Sequence, residues 1–225
     1  MEKSTRSAKS AVFVGIMGAL SNLLSGLSIL LVPFLPAIPL GPYSISVAFD
    51  LSHLTTFIAA LYGGPSIAGL TGLIGGMVAS YEFGFSQGNL VTGFALPVGK
   101  ALTGITAGFV MRALGMRTGK RHRILIVASA LLSYIPEGIF TAFLFLGIFP
   151  LVFETPLFIL YPIAITIVIK GFIEMFVEGI ALSALSANQG FAMFIQDFFT
   201  TPKSDSSTAE QHSDNASGES EARDA

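Results

Sequence analysis

The sequence predicts an all-α membrane protein: a six-transmembrane-helix bundle with both termini cytoplasmic. Three observations carry this. Hydrophobic residues make up 52% of the chain and charged residues only 12%, about half the charged share of a soluble domain. The apolar residues gather in six runs of roughly bilayer-crossing length, separated by segments rich in Pro, Gly and charge. Basic residues concentrate in positions 1–10 and in RALGMRTGKRHR, 112–123. In a six-span chain those two segments share one side, which marks that side as cytoplasmic.

The lead-in, 1–10, sets Lys3, Arg6 and Lys9 against Glu2. It starts as a signal peptide does, but the run 11–32 is long enough to span and lacks a small-residue cleavage region, so it reads as the first helix. Within it Ala11, Gly15 and Ala19 recur every four residues. Such a smooth strip lets a second helix approach closely, either one of this chain or one of an external partner. Pro33, Pro36, Pro39 and Pro42 follow at intervals of three, the period of a polyproline II segment. A stiff connector is expected there, either roofing a cavity or crossing tightly between helices.

The stretch 41–84 organises the chain. Runs 46–62 and 66–81 meet at Gly63-Gly64-Pro65, where Gly suits a helix end and Pro the start of the next, so the pair reads as a helical hairpin. Asp50 and His53 begin the first run and Glu82 follows the second, which predicts that all three lie at one polar end. EFGFSQGN, 82–89, is a polar, Gly-rich loop. The fourth span, 90–114, contains Pro97 and Lys100, and its Gly93, Gly99, Ala101, Gly104, Ala107 and Gly108 permit close packing. The fifth, 124–149, carries Pro136 and Glu137; a proline inside a span frees a backbone carbonyl that needs another partner or bends the helix. A loop with Glu154 occupies 150–161. The sixth span, 162–187, sets Lys170, Glu174 and Glu178 four residues apart, hence on one helix face.

The domain organisation is therefore a basic cytoplasmic lead-in, 1–10, a transmembrane domain, 11–187, and a cytoplasmic remainder, 188–225. That remainder opens on an amphipathic patch, GFAMFIQDFF, and ends in a polar segment bearing Asp205, Glu210, Asp214, Glu219, Glu221 and Asp224. With no apolar period, the tail is expected to be disordered. His122 and His212 fall in exposed segments.

An ionisable side chain inside a span costs about 2.5–3.5 kcal/mol on insertion scales, so it persists when paired or when it lines a polar cavity. Asp50, His53, Lys100, Glu137, Lys170 and Glu174 all fall between the outer surface and the midplane, with Glu178 deeper. Lys100, Glu137, Lys170 and Glu174 either touch a ligand or fasten the bundle as mutual salt bridges. Chemistry of other kinds lacks its residues: the chain has no HExxH, no GxSxG, no histidine cluster and no cysteine. GFALPVGKA, 93–101, misses phosphate-loop spacing and has no Ser or Thr after Lys100. No catalytic residue, metal or cofactor is expected, and uphill transport would need energy from another subunit.

The basic lead-in with its Ala11, Gly15, Ala19 strip, the hairpin FDLSHLTTFIAALYGGPSIAGLTGLIG, the segment NLVTGFALPVGKALTGITAGFVMRALGMR and the segment IVIKGFIEMFVEGIALSAL together resemble the substrate-binding (S) components of energy-coupling factor (ECF) transporters. The resemblance covers about residues 8–187. It implies a plasma-membrane protein that binds a vitamin or similar micronutrient near its outer face and docks onto a transmembrane coupling subunit joined to two ATPases. It implies coupling-subunit contact through Ala11, Gly15 and Ala19, and ligand contact through Glu82, Asn89, Lys100, Glu137, Lys170 and Glu174. The lack of Trp departs from a stacking-heavy, thiamine-type pocket, and the acidic tail is outside the family pattern. A second reading is a cell-envelope scaffold of the same layout, without a small-molecule ligand and with its buried charges paired internally.

Overall fold

The computed structural model describes residues 2–34, 37–40, 43–46, 49–116 and 123–199. Pro36, Pro42, His122, most of the basic loop and the acidic tail with His212 lie outside the described residues.

Helix α1, Glu2–Leu31, takes in the lead-in, so the basic start and the first span form one helix where the sequence predicts a boundary at residue 11. A 3₁₀ turn, Val32–Phe34, leads to a two-stranded antiparallel ribbon, β1 Ala37–Leu40 and β2 Tyr43–Ser46, with Leu40 opposite Tyr43 and Ala37 opposite Ser46. This corrects the polyproline expectation. Pro39 sits in β1 opposite Ser44, which a ribbon tolerates because each strand has an edge where a missing N–H breaks no ladder bond.

The predicted hairpin forms, but in pieces. Helix α2 is His53–Gly63 and α3 is Pro65–Gly75; α4, Met77–Phe83, follows after Gly76. Gly64 turns the chain with φ 91°, and its N–H bonds the carbonyls of Ala59 and Ala60 at 3.1 and 3.2 Å. At 1.5 Å per residue, the 11 residues of α2 reach about 16 Å, half of a hydrocarbon core. This short helix is the centre of the molecule. Phe57, Ala59, Ala60 and Leu61 are fully buried, as expected of a helix that is apolar all round, and α1, α3, α5 and α8 pack about it.

A 3₁₀ turn, Phe85–Gln87, leads to α5, Leu90–Ala113. Helix α6, Arg123–Phe143, runs through a π-helical turn, Leu144–Ile148, into α7, Phe149–Phe153. Helix α8 is Leu157–Ala187 and α9 is Gln189–Phe199. The expected loop 150–161 thus shrinks to 154–156, with Glu154 in the left-handed region at φ 53°.

Among the described residues four helical stretches are long and apolar enough to cross a membrane: 7–34, 90–113, 123–153 and 157–187. Their outer faces show large apolar side chains such as Leu151, Ile124 and Phe158, a surface suited to lipid and not to water.

Small residues bring α3 and α5 into backbone contact, as the sequence predicts for Gly104 and Gly108. A Cβ on Gly72 would lie 2.4 Å from the Lys100 carbonyl oxygen, one on Gly104 2.4 Å from that of Ala68, and one on Gly108 2.4 Å from Pro65 Cα. The close approach fixes the height of Lys100 in the bundle. At the end where α1 begins, Phe13, Leu61, Met111, Ile126, Leu182 and Ile195 join one apolar cluster. Helix α9 closes this end, with Phe199 edge-on to Phe13 at 4.8 Å and Phe191 edge-on to Tyr62 at 6.3 Å. A smaller cluster of Ala95, Leu144, Phe149 and Leu160 lies toward the opposite end.

Candidate functional site

Between those two apolar clusters lies a buried polar network drawn from five segments. Its hub is the non-helical stretch 49–52 that leads into α2. Unwound backbone at bilayer depth needs partners from protein, since lipid offers none, and α1 supplies them. Ser28 Oγ donates to the Phe49 carbonyl at 2.6 Å, Ser25 Oγ to Asp50 Oδ2 at 3.3 Å, and Ser21 Oγ to the Ser52 carbonyl at 2.9 Å. The Asp50 side chain also accepts from the Ser52 N–H at 3.0 Å, and the Asp50 N–H donates to Glu174 Oε1 at 3.0 Å.

Three ion pairs radiate from this hub. Lys100 Nζ lies 3.2 Å from Asp50 Oδ2 and also donates to Ser52 Oγ. His53 Nε2 and Glu137 Oε2 are 3.2 Å apart, and Thr103 Oγ1 donates to the same carboxylate oxygen. Lys170 Nζ lies 3.3 Å from Glu174 Oε1, one helical turn away. Gly99 makes room for Glu137, since a Cβ there would lie 3.3 Å from Glu137 Oε1. Gly171 does the same for the Tyr134 hydroxyl. Tyr134 in turn stands edge-on to Phe172 at 5.1 Å.

Exposure falls along the α8 face. The Lys170 side chain is 34% exposed and that of Glu174 12%, whereas Glu178, one turn deeper, is wholly buried. The Asp50 side chain, at 26%, shares the open end. Both Glu178 carboxylate oxygens lack a hydrogen-bond partner, as does His53 Nδ1. Glu178 faces the backbone N–H of His53 at the start of α2 without a bond of normal geometry. Among the described residues no group of three or more His, Cys, Asp or Glu is placed to hold a metal ion.

Four of the expected ligand residues, Lys100, Glu137, Lys170 and Glu174, meet in this network. Glu82 and Asn89 do not join it. Ser21 Oγ also reaches the Gly75 carbonyl at 3.4 Å, so the start of α2 lies level with the end of α3, and α4 carries Glu82 about 10 Å further along the helix direction. Asp50, His53 and Glu82 thus all lie at the end away from the Gly64 turn, with Glu82 beyond the level of the other two. Asn89 serves as N-cap of α5, its side chain accepting from the Thr92 N–H at 3.0 Å, and stands about 16 Å along α5 from Lys100. Among nearby aromatic side chains, Tyr134 is buried beside the network, while Phe143 and Tyr161 are exposed.

Sequence reasoning left Asp50 and His53 outside its set of ligand residues and overlooked Ser21, Ser25 and Ser28. Their signal was present: three serines on one face of an otherwise apolar helix, a pattern suited to interhelical hydrogen bonds. The Ala11, Gly15, Ala19 strip occupies the other side of α1. All three residues are exposed, and a Cβ on Gly15 would meet nothing within 4 Å; the inward face is Phe13, Val14, Met17 and Ser21.

Comparison with protein-family models, with curated proteins and with solved structures returns no match.

Proposed function

We propose that this chain is the substrate-capture subunit of an importer of the ECF type. It holds a vitamin or related micronutrient near the outer face of the plasma membrane and delivers it with a transmembrane coupling subunit and two ATPases. The observation that carries this reading is the graded polar network: seven ionisable side chains converge inside an apolar bundle, open at Lys170 and Asp50 and closed at Glu178. Burying so many ions is costly, and a binding function gives a reason to keep them.

In this reading the chain passes six times, with both termini cytoplasmic. Helices α3 and α4 together make the third pass. The second is α2 with the stretch before it, shielded from lipid by its neighbours. Lys100, Glu137, Lys170 and Glu174 contact the ligand, Glu82 and Asn89 belong to the outward rim, and Ala11, Gly15 and Ala19 face the coupling subunit. The chain performs no catalysis and carries no cofactor.

The mutual pairing of Asp50 with Lys100, His53 with Glu137 and Lys170 with Glu174 favours a second reading, a scaffold membrane protein whose charges only fasten it. Mass spectrometry of small molecules that copurify, followed by thermal shift with the compound found, separates the two. A ligand that raises the melting temperature supports capture. Purified protein with no copurifying compound, unmoved by any vitamin, purine or amine, supports the scaffold.

A further inference from the structure

We propose that a groove between α6 and α8 seats one anionic phospholipid, its phosphate on Arg123 and an acyl chain along the apolar floor; the proposal stands apart from the capture reading. A Cβ on Gly138 would lie 3.7 Å from Val168, and one on Gly179 3.1 Å from Val127 Cα. The two helices therefore run antiparallel and in contact, which sets Ser183 at the level of Arg123. Between them opens a cavity of about 480 Å³, within the size range of small-molecule sites. Arg123, Val127 and Leu131 line it from α6, and Phe176, Ile180 and Ser183 from α8. The three α6 residues stand one turn apart, so the groove runs about 12 Å into the span. Every lining residue except Arg123 and Ser183 is apolar.

This layout matches an anionic amphiphile, with a cation at one end and apolar surface below it. Ile124, Phe176 and Ile180 on the rim are 82%, 49% and 49% exposed, so the groove opens on the outer surface of the bundle, where lipid lies. Arg123 is exposed too, and among the described residues no carboxylate stands within ion-pair distance of it. Its guanidinium can offer paired N–H donors to a phosphate. In sequence Arg123 closes RALGMRTGKRHR, 112–123, which has five Arg or Lys and no acid. At the end proposed as cytoplasmic, such a basic cluster beside a gap between helices suits an anionic head group. A helix of another protein fits less well. Close helix contact needs small side chains, as on the exposed strip of α1, whereas large ones rim this groove and leave room for a flexible chain.

The chain has no Trp, so one introduced indole reports on its surroundings. Full chains carrying Ile124→Trp at the rim, or Phe158→Trp exposed near the far end of α8, are reconstituted in vesicles of phosphatidylcholine and phosphatidylglycerol, with brominated acyl chains on one lipid or the other. Quenching at Ile124→Trp should show phosphatidylglycerol favoured at least fivefold, against less than twofold at Phe158→Trp. Two further variants separate groove from charge. Ala128→Phe fills the groove and keeps the charge, and Arg123→Gln keeps the groove and removes the charge. Each, added to Ile124→Trp, should cut the preference at least threefold; if one does not fold, the other decides. Parity of the two lipids at Ile124→Trp overturns the proposal, as does absence of quenching there, the mark of a second copy of the chain covering the groove. A preference that survives Ala128→Phe is diffuse attraction by the basic segment, and one that survives Arg123→Gln owes nothing to that side chain; either result overturns the proposal and leaves capture standing.

Discussion

The backbone N–H of Asp50 donates to Glu174 Oε1 at 3.0 Å, joining the unwound approach to α2 to the middle of α8 across 124 residues of chain. That bond makes the hub and the graded α8 face one unit. Asp50 in turn pairs with Lys100 of α5, so a shift in any one of α2, α5 or α8 is felt by the other two.

Lys170 is the most exposed member of that unit, which predicts a separation of binding from stability. A partly solvated pair within one helix contributes about 0.5 kcal/mol, equivalent to about 2 °C in a chain of this size. Lys170→Met should therefore melt within a few degrees of the unaltered protein while weakening the identified ligand about tenfold by titration calorimetry. A collapsed protein whose surviving fraction keeps full affinity would assign Lys170 to structure alone.

Glu137 should behave in the opposite way. It is buried, with His53 and Thr103 both directed at one of its oxygens. Removing one partner of such a pair costs about 3–5 kcal/mol, whereas replacing both by apolar groups is often tolerated. Glu137→Leu alone should melt far below the unaltered protein, and the double variant with His53→Leu should recover much of the loss. A double-mutant cycle of thermal midpoints reads the coupling; additive losses would show that the two side chains do not act as a pair.

The long helices, the Gly64 turn and the convergence of Lys100, Glu137, Lys170 and Glu174 were legible in the sequence, because length, Gly-Pro punctuation and the rarity of buried ions are local signals. The start of α2 was not. Run 46–62 is apolar enough for a helix throughout, yet 49–52 unwinds because Ser21, Ser25, Ser28 and Glu174 satisfy its polar groups from α1 and α8. No local pattern announces partners that distant in the chain. How far Glu82 stands beyond Asp50 and His53 was not legible, because a hairpin read from sequence carries no measure of how far one arm overshoots the other. Asn89 was readable as a cap, because it is a good N-cap residue standing immediately before an apolar run.

The α3–α5 contact gives a third prediction. The Lys100 carbonyl would stand 2.4 Å from a Cβ on Gly72, and backbone cannot retreat as a flexible side chain can. Gly72→Ala should therefore destabilise by about 1–3 kcal/mol and, by lifting α5 from α3, move Lys100 away from Asp50. Thermal melting and ligand affinity should fall together. A normal melt with normal affinity would mean that the two helices are not in backbone contact.

The absence of cysteine makes sidedness directly measurable. Ser86 is exposed in the turn between α4 and α5, and Ser7 near the start of α1. In intact cells a membrane-impermeant maleimide should label Ser86→Cys and leave Ser7→Cys unlabelled until the membrane is opened. Labelling of Ser7→Cys and protection of Ser86→Cys would invert the bundle, and outward capture would not survive that result.

The last prediction concerns the strip on α1. Small residues every four positions usually mark a helix contact, yet here Ala11, Gly15 and Ala19 face away from the rest of the chain. A side chain added at Gly15 would meet nothing within 4 Å, and Leu is a better helix former than Gly by nearly 1 kcal/mol. Gly15→Leu should accordingly fold at least as well as the unaltered protein and bind ligand equally, since the polar network is reached from the opposite side of α1. If the strip docks a coupling subunit, the leucine would hold the two helices apart, and uptake into cells should fall at least tenfold together with loss of the partner on copurification. Unchanged uptake would free the strip of any docking role. Equal loss of uptake and of ligand binding would instead show that Gly15 packs within this chain, against the exposure found for it.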